Sequence, residues 1–445
     1  MKVKKQFDIN FDESKLREIF DEYIAHSGGS GVDNLSVKAF SKQADEHISI
    51  ISRKAIQGSY RFSKYKQRLV SKGAKKPPRI ISIPTVRDRV ALRALNNFLQ
   101  VRFSQDVNNS LPQVVVNSVK QKASSGKFNG FIKLDVKDFY PSINHKKLIS
   151  RIRSRVKNPE ILYVIDSAIK SPTVASPKST DENNSVGIPQ GLAISNILSS
   201  IYLKNIDKNY KTLSHIAYFR YVDDILIFCE LEKAKEIANE LKKRLSALGL
   251  KIHDIHGKSE KSRIGKLGDS FSYLGYFFYD DIVSVRTETV ERLKESLAAI
   301  FTSYKYSKIQ DESFLLWRLD IRITGCIFEG KSKGWLFFFS QITDESLLHS
   351  LDWYVGLLVR RFNVNIKPKK FVRAFKEITL NPSNTKYVPN FDNYDEKQQL
   401  AFLSKYFPRD IRNKRLTTQK IEFNFRKRIK KQVRDLLEDL KNFRS

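Results

Sequence analysis

The sequence predicts an α+β fold, with a ferredoxin-like sheet in its middle third, a small mixed unit before it and helices after it. Three observations carry this. Between residues 131 and 253 the apolar pattern runs strand, helix, helix, strand, strand, helix, strand, the order of a sheet backed by helices. Beyond Gly275 the spacing becomes helical and unusually aromatic. Hydrophobic residues make up 41% of 445 residues, with 30 Phe and 18 Tyr, enough for roughly two to four packed units.

Near the N-terminus, Leu16, Ile19, Phe20 and Ile24 have helix spacing within Glu13–His26. Ser27–Gly31 ends that helix with three glycines. Leu35–Ile51 and Val90–Phe103 read as further helices, and Arg79–Pro84 as a short strand after Pro77-Pro78. Phe131–Asp135 is an apolar strand ending in a carboxylate, and Ser171–Ser185 is a polar loop. Gly187–Gly191 opens a helix over Leu192–Ile206. Strands Ile216–Tyr221 and Ile225–Cys229 enclose Val222-Asp223-Asp224. Glu232–Leu248 is an amphipathic helix stopped by Gly249, before a strand at Leu250–His253. Val290, Leu293, Leu297 and Ile300 mark another helix, and 314–362 reads as helical, with a strand-sized patch at Trp335–Phe339 that serves core packing or a subunit contact. Asn381–Asn393 is a loop, and Arg426–Phe443 is a basic amphipathic helix.

The charge excludes several classes. Lys and Arg number 80 against 48 Asp and Glu, a net +32. Such an excess points to a polyanion, nucleic acid before an anionic membrane surface. Basic strips lie at Arg61–Arg79, with Lys64, Lys66, Arg68, Lys72, Lys75 and Lys76, and at Arg409–Arg434, with Arg412, Lys414, Arg415 and Arg426. Only Cys229 and Cys326 are present, too few for a disulfide framework and no zinc set. His253 and His256 have no thiol nearby in sequence and read as exposed histidines. No apolar run reaches membrane-spanning length, and the start of the chain does not match a signal peptide.

Asp135 at one strand end and Asp223-Asp224 between two others are the residues with a chemical reading. Adjacent strand ends bring carboxylates close, and clustered carboxylates repel unless a divalent cation neutralises them. Oxygen ligands favour Mg2+ or Mn2+. Two such ions about 3.5–4 Å apart suit the activation of a hydroxyl and the departure of a pyrophosphate. Turn chemistry alone is the alternative for Asp-Asp in a hairpin.

Several short blocks, in order, resemble the reverse transcriptases. Lys76–Arg89 resembles the fingers block, Phe131–Ile143 the first catalytic block, and Gly187–Leu203 the Pro-Gln-Gly block. Tyr221-Val222-Asp223-Asp224 resembles the Tyr-x-Asp-Asp block. Gly249–Lys258 resembles the lysine block, and Phe271–Tyr276 the primer-contact block. Gly31-Val32-Asp33 with Phe40 resembles the extra N-terminal block of the group II intron-like branch. The resemblance covers about residues 30–280.

The resemblance implies a right-hand polymerase: N-terminal extension and fingers at 1–125, palm at 126–280 with part of the fingers at about 145–185, a helical thumb at 281–362 and a basic helical C-terminal extension at 363–445. Asp135, Asp223 and Asp224 become the catalytic set, holding two Mg2+ ions with the Val136 carbonyl. Arg79, Tyr140, Gln190, Gly191 and Lys258 become the nucleotide contacts, with Lys258 a general acid and Lys261 its alternative in the same loop. Leu274 and Gly275 become the primer contact. The implied partners are an RNA template, an RNA–DNA hybrid and dNTPs, with a second copy or an accessory defence protein besides, and no membrane; the implied setting is the bacterial cytoplasm. The Asn-Ala-x-x-His and Val-Thr-Gly blocks of retrons are not found. Beyond about residue 370 neither an intron zinc endonuclease nor a ribonuclease H pattern is found. The likeness is therefore to the defence-associated, unknown-group enzymes, which implies cDNA synthesis on a noncoding RNA in antiphage defence.

Overall fold

The computed structural model describes residues 2–25, 28–71, 77–107, 110–178, 181–255, 261–381, 385–411, 417–438 and 440. Lys72, Lys75, Lys76, His256, Lys258, Arg412, Lys414, Arg415 and Phe443 lie outside the described residues. The chain divides into two compact units, Met1–Asn109 with Lys127–Lys266, and Ser110–Gly126 with Leu267–Ser445.

The first unit begins with α1 (Val3–Asn10), α2 (Glu13–Ile19), α3 (Val37–Lys42) and α4 (Ala44–Ile56). The single helix expected over 13–26 becomes a π-turn at Phe20–Ile24, and the one expected over 35–51 breaks at Gln43 and continues to Ile56. Strands β1 (Tyr65–Val70) and β2 (Arg79–Ile83) pair antiparallel. Helix α5 (Val86–Arg102) follows, and α6 (Pro112–Ala123) belongs to the second unit.

Thr85 starts α5 reciprocally: its Oγ1 accepts from Asp88 N at 3.1 Å and donates to the Asp88 carboxylate at 2.8 Å. Asp88 is buried and also accepts from Tyr60 Oη at 2.9 Å and Ser63 N at 3.1 Å. This one carboxylate ties the start of α5 to the strand-free segment before β1.

The central sheet follows. Strand β3 (Gly130–Lys137) leads into the short α7 (Phe139–Ser142), then α8 (His145–Arg153), α9 (Pro159–Lys170) and the short β4 (Thr173–Val174), which joins the β2-β1 edge. Helix α10 (Ser195–Lys211) precedes β5 (Ala217–Tyr221) and β6 (Asp224–Cys229); α11 (Ala234–Ala247) precedes β7 (Lys251–Ile252) and β8 (Arg263–Lys266). The order is β5-β6-β3-β7, with β8 also on β3, all antiparallel. That is the ferredoxin-like order expected from the apolar pattern. Phe131, Ile132, Leu134, Ile225, Ile227 and Leu198 are fully buried; the sheet has helices to cover it, so its middle strands are near-continuously apolar.

The second unit holds β9 (Phe271–Tyr273), β10 (Tyr276–Tyr279) and β11 (Ile282–Val285) as a meander, then α12 (Thr287–Lys305) and α13 (Glu312–Thr324). The stretch 314–362 is not wholly helical. A hairpin, β12 (Cys326–Phe328) with β13 (Lys331–Lys333), interrupts it. Gly325 enters this hairpin at φ +69, where a Cβ would lie 2.2 Å from Lys333 O. The patch expected as a strand is the short helix α14 (Trp335–Phe338), with Trp335, Leu336 and Phe338 buried in the core. Helices α15 (Glu345–Arg361), α16 (Phe371–Leu380), α17 (Glu396–Tyr406) and α18 (Thr418–Leu436) complete the unit. The last begins eight residues before the expected start at Arg426. Among the described residues no helix is long and apolar enough to cross a membrane.

Burial pushes the Asp88 carboxyl from its ordinary 3.8 up to about 6, against the pull of its donors. A carboxyl raised in the folded state makes stability fall as pH climbs from the ordinary value through about 6. Asp88→Asn removes that dependence. The variant's melting temperature relative to the parent therefore rises between about pH 4 and about pH 7.5. A difference that stays constant across that range contradicts the assignment.

Candidate active site

The site is built on the β5–β6 hairpin and the end of β3. Tyr221 pairs with Asp224 across the hairpin, so only Val222 and Asp223 form the turn. Asp224 is thus the first residue of β6, not a loop residue as its spacing suggested. Asp135 of β3 is its partner across the ladder, which puts the two carboxylates on neighbouring strands. Val136 N donates to Asp223 O at 3.3 Å, fixing the turn against β3.

The turn is strained. Val222 has φ 55, a left-handed conformation that is unfavourable for a β-branched residue. Arg220 holds it there: Nη1 donates to Val222 O at 2.8 Å. The same guanidinium makes a two-point contact with the Asp207 carboxylate of α10, with Nε to Oδ1 at 2.7 Å. Asp207 also accepts from Tyr218 Oη at 2.9 Å. Arg220 and Asp207 are nearly buried, so this charge pair is dry and directional. Neither residue was singled out from the sequence, although Arg220 immediately precedes the Tyr221 block.

Burial, and then the charge of Asp135, raise the Asp223 carboxyl above its ordinary value; Arg79 and Lys261 pull the other way. Arg79, at the start of β2, is therefore within electrostatic reach of the turn. Lys258 lies outside the described residues, but Lys261 is described: its Nζ is 3.7 Å from Asp135 Oδ2 and 3.0 Å from His253 Nε2. His253, expected to be merely exposed, is half-buried with Nε2 3.4 Å from Asp135 Oδ1. Burial and Lys261 hold its imidazole below the usual value. Ser262 Oγ accepts from Asp135 N at 3.1 Å, and His253 N donates to Asp135 O at 3.0 Å. Only pairing across β3, β7 and β8 brings these residues together, and no spacing in the sequence signals it.

The Pro-Gln-Gly loop closes another side. Gly187 N donates to Ile143 O, Ile188 N to Tyr140 O, both at 2.8 Å, and His145 Nε2 lies 2.6 Å from Gly187 O. Ser82 N of β2 donates to Gln190 O at 2.7 Å. Gly191 sits at φ +98, and a Cβ there would stand 2.8 Å from Ile81 Cγ2, so glycine permits the close approach to β2. The Tyr140 phenol donates to Asn196 Oδ1 at 2.5 Å. Burial, and then Asp223, push it well above its ordinary value; it stands neutral beside the acidic turn. Phe139, by contrast, is core. Leu274 and Gly275 belong to the second unit, where they form the β9–β10 turn at φ 50 and 84.

Among the described residues, no three His, Cys, Asp or Glu side chains are grouped so as to hold a metal ion between them. Asp135 lies close enough to Asp223 for its charge to act on that carboxyl. Carboxylate oxygens suit a hard divalent cation that keeps waters and substrate phosphates as further ligands.

A family model described as "Reverse transcriptase (RNA-dependent DNA polymerase)" matches residues 66–278. Those residues are a reverse transcriptase domain. The reverse transcriptase domain spans a little under half of the chain and contains Arg79, Asp135, Tyr140, Gln190, Gly191, Asp223 and Asp224. It is the domain of RNA-directed DNA polymerases, and the α+β content fits the right-hand polymerase fold. Protein YkfC of Escherichia coli (strain K12) is 21% identical over 352 residues, 67% of this chain and 87% of that protein. Group II intron-encoded protein LtrA of Lactococcus lactis subsp. cremoris is 24% identical over 173 residues, 37% of this chain but only 28% of LtrA. Among solved structures, apo telomerase from Candida Tropicalis aligns at TM-score 0.45 and 13% identity, over 86% of this chain and 68% of that one.

Arg220→Lys keeps the charge of the reverse transcriptase domain's clamp but cannot bridge Asp207 and Val222 O together. The variant folds with a melting temperature within a few degrees of the parent, and its kcat for DNA synthesis falls about 10- to 100-fold with little change in KM for dNTPs. Unchanged turnover contradicts the positioning role.

Proposed function

We propose that the chain is an RNA-directed DNA polymerase that makes cDNA on a dedicated noncoding RNA, as part of a bacterial antiphage defence system. The observation that carries the polymerase reading is the acid cluster itself: Asp135 opposite Asp224 in register, with Asp223 in the adjoining turn and Arg79 within electrostatic reach.

In this reading Asp135, Asp223 and Asp224, with the Val136 carbonyl, hold two Mg2+ ions. When bound, these supply a polarised 3′-hydroxyl and a stabilised pyrophosphate leaving group. Arg79 grips the triphosphate, its fork matching phosphate oxygens. Tyr140 lies under the sugar of the incoming nucleotide, where its ring excludes a 2′-hydroxyl. Gln190 and Gly191 line the nucleotide and template side. Lys258 protonates the pyrophosphate, with Lys261 beside Asp135 as the alternative donor. Leu274 and Gly275 position the primer end. The partners are an RNA template, the RNA–DNA hybrid and dNTPs, with a homo-oligomer or accessory defence protein besides, in the cytoplasm.

The antiphage role rests on the likeness of the sequence blocks to defence-associated enzymes. The match to LtrA favours a second reading, an intron- or retron-type enzyme. Sequencing the nucleic acid that co-purifies with the chain separates the two, because it reads template, product and primer together. Untemplated, protein-primed DNA would instead match no co-purified RNA.

Asp223→Ala and Asp135→Ala each reduce synthesis by at least about 10³-fold while RNA affinity stays within about 2-fold. In cells the same substitutions abolish protection in a phage-plating assay. Retained synthesis sinks the polymerase reading; retained protection sinks only the requirement for cDNA in defence. Tyr140→Ala lowers the preference for dNTPs over NTPs by about 10-fold or more, read from kcat/KM ratios. An unchanged ratio removes Tyr140 from sugar selection.

A further inference from the structure

Helix α18 lies outside the reverse transcriptase domain and carries an unusual division of its cations. Arg428 is held by Asp410, with Nε to Oδ2 at 2.6 Å and Nη2 to Oδ1 at 2.8 Å. Arg426 pairs with Glu422 at 2.9 Å, and Lys430 with Glu329 at 3.6 Å. Lys420, Lys427, Lys431 and Arg434 are exposed, and none has a carboxylate within ion-pair distance among the described residues.

These four are not scattered. At about 100° per residue they fall within an arc of about 60°, along about 21 Å of helix. Phe423, 57% exposed, lies at the edge of the same line. The two acids of the helix, Glu422 and Asp435, fall off it; Glu438, beyond the helix end, has a partner of its own. The opposite face carries Ile421, Phe425, Ile429, Val433 and Leu436, all buried in the core that includes Phe391, Phe402 and Leu403.

A basic amphipathic helix can serve a membrane or a nucleic acid. A membrane needs the apolar face free to enter the lipid, and here that face is consumed by the protein core. What remains is a straight cationic line on a helix that cannot roll over. A flexible single strand is usually gripped through several aromatic platforms, whereas this line offers one, Phe423. Paired RNA is recognised by shape and by its phosphates.

We propose that the Lys420–Lys427–Lys431–Arg434 line of α18 is a docking surface for the phosphate backbone of paired RNA. It is separate in sequence from the polymerase domain. The inference rests on the functional reading above only in taking RNA as the polyanion.

The test uses the full chain carrying Asp223→Ala, with no nucleotide present, so that binding is scored independently of synthesis. The probe is a hairpin RNA of about 20 base pairs. Replacing all four stripe residues by Gln weakens binding at least about 10-fold near 0.1 M salt. It also flattens the dependence of log affinity on log salt by about 3, at about 0.7–0.9 for each phosphate that is no longer neutralised. The companion variant Arg426→Gln with Lys430→Gln removes two paired cations off the line and leaves affinity within about 2-fold. With Asp223 restored, the four-site variant still extends a short annealed primer–template at the parent's rate. An unchanged salt slope overturns the proposal, as does an equal loss in the companion variant. An equal loss on unstructured oligouridine overturns the choice of paired RNA. Parent binding to phosphatidylserine vesicles that the four-site variant loses would reassign the line to membranes.

Discussion

The arrangement of the reverse transcriptase domain depends on one unfavourable interaction: two carboxylates, Asp135 and Asp223, held where one feels the other's charge. Burial and mutual repulsion both raise Asp223. Strand ends left to relax would turn these groups toward water. The surroundings oppose that with fixed bonds. Val136 N holds Asp223 O, Ser262 Oγ and His253 N hold the backbone of Asp135, and the charges of Arg79 and Lys261 offset the repulsion. The acid cluster is therefore held by backbone pairing together with the His253 and Lys261 contacts to the Asp135 carboxylate.

The strain at Val222 follows from the same requirement. A two-residue turn is needed to bring Asp224 into the ladder opposite Asp135, and the turn forces its first residue to φ 55. Such a conformation persists only when the surroundings over-determine it. The Arg220–Asp207 pair does this from beneath, and Tyr218 adds a third bond to the same carboxylate. Because Asp207 is on α10, the helix following the Pro-Gln-Gly loop, the hairpin and that loop share an anchor. The loop is in turn bonded to β2 through Ser82 and Gln190. Strand β2, the Pro-Gln-Gly loop and the acid turn are thus linked through hydrogen bonds rather than through apolar packing alone.

How much of this was readable in the chain depends on how local its cause is. The central strands announce themselves, because their apolar runs are imposed by burial on both faces. The turn does not: valine is so poor in the left-handed region that a two-residue turn at Val222-Asp223 is disfavoured by ordinary rules, so the spacing predicts Asp224 in the loop rather than in β6. The helix expected from Leu192 starts only at Ser195, because Gln190 O is bonded to Ser82 N of β2 and Ser195 Oγ bonds Pro189 O. The stretch 314–362 looked helical from its aromatics; Gly325, Gly330 and Gly334 make the hairpin, and a spacing argument weighs three glycines too lightly. His253 and Ser262 reach Asp135 only through strand register, which sequence spacing does not encode.

The net charge of +32 also changes meaning once the partners are known. Many cations are already spent inside the protein: Lys64 on Asp181, Arg155 on Asp106, Arg220 on Asp207, Arg428 on Asp410. Such pairs hold loops and helices in place and offer little to a polyanion. The cations available to a phosphate backbone are the remainder, and the fold decides where that remainder is displayed. On α18 the core fixes the helix's roll and local acids remove the off-line cations, so a mixed basic sequence becomes a narrow line. A counterion-release slope reports phosphate contacts, not total charge. The relevant electrostatic quantity for this chain is therefore the pattern of unpaired cations, and composition alone overstates it.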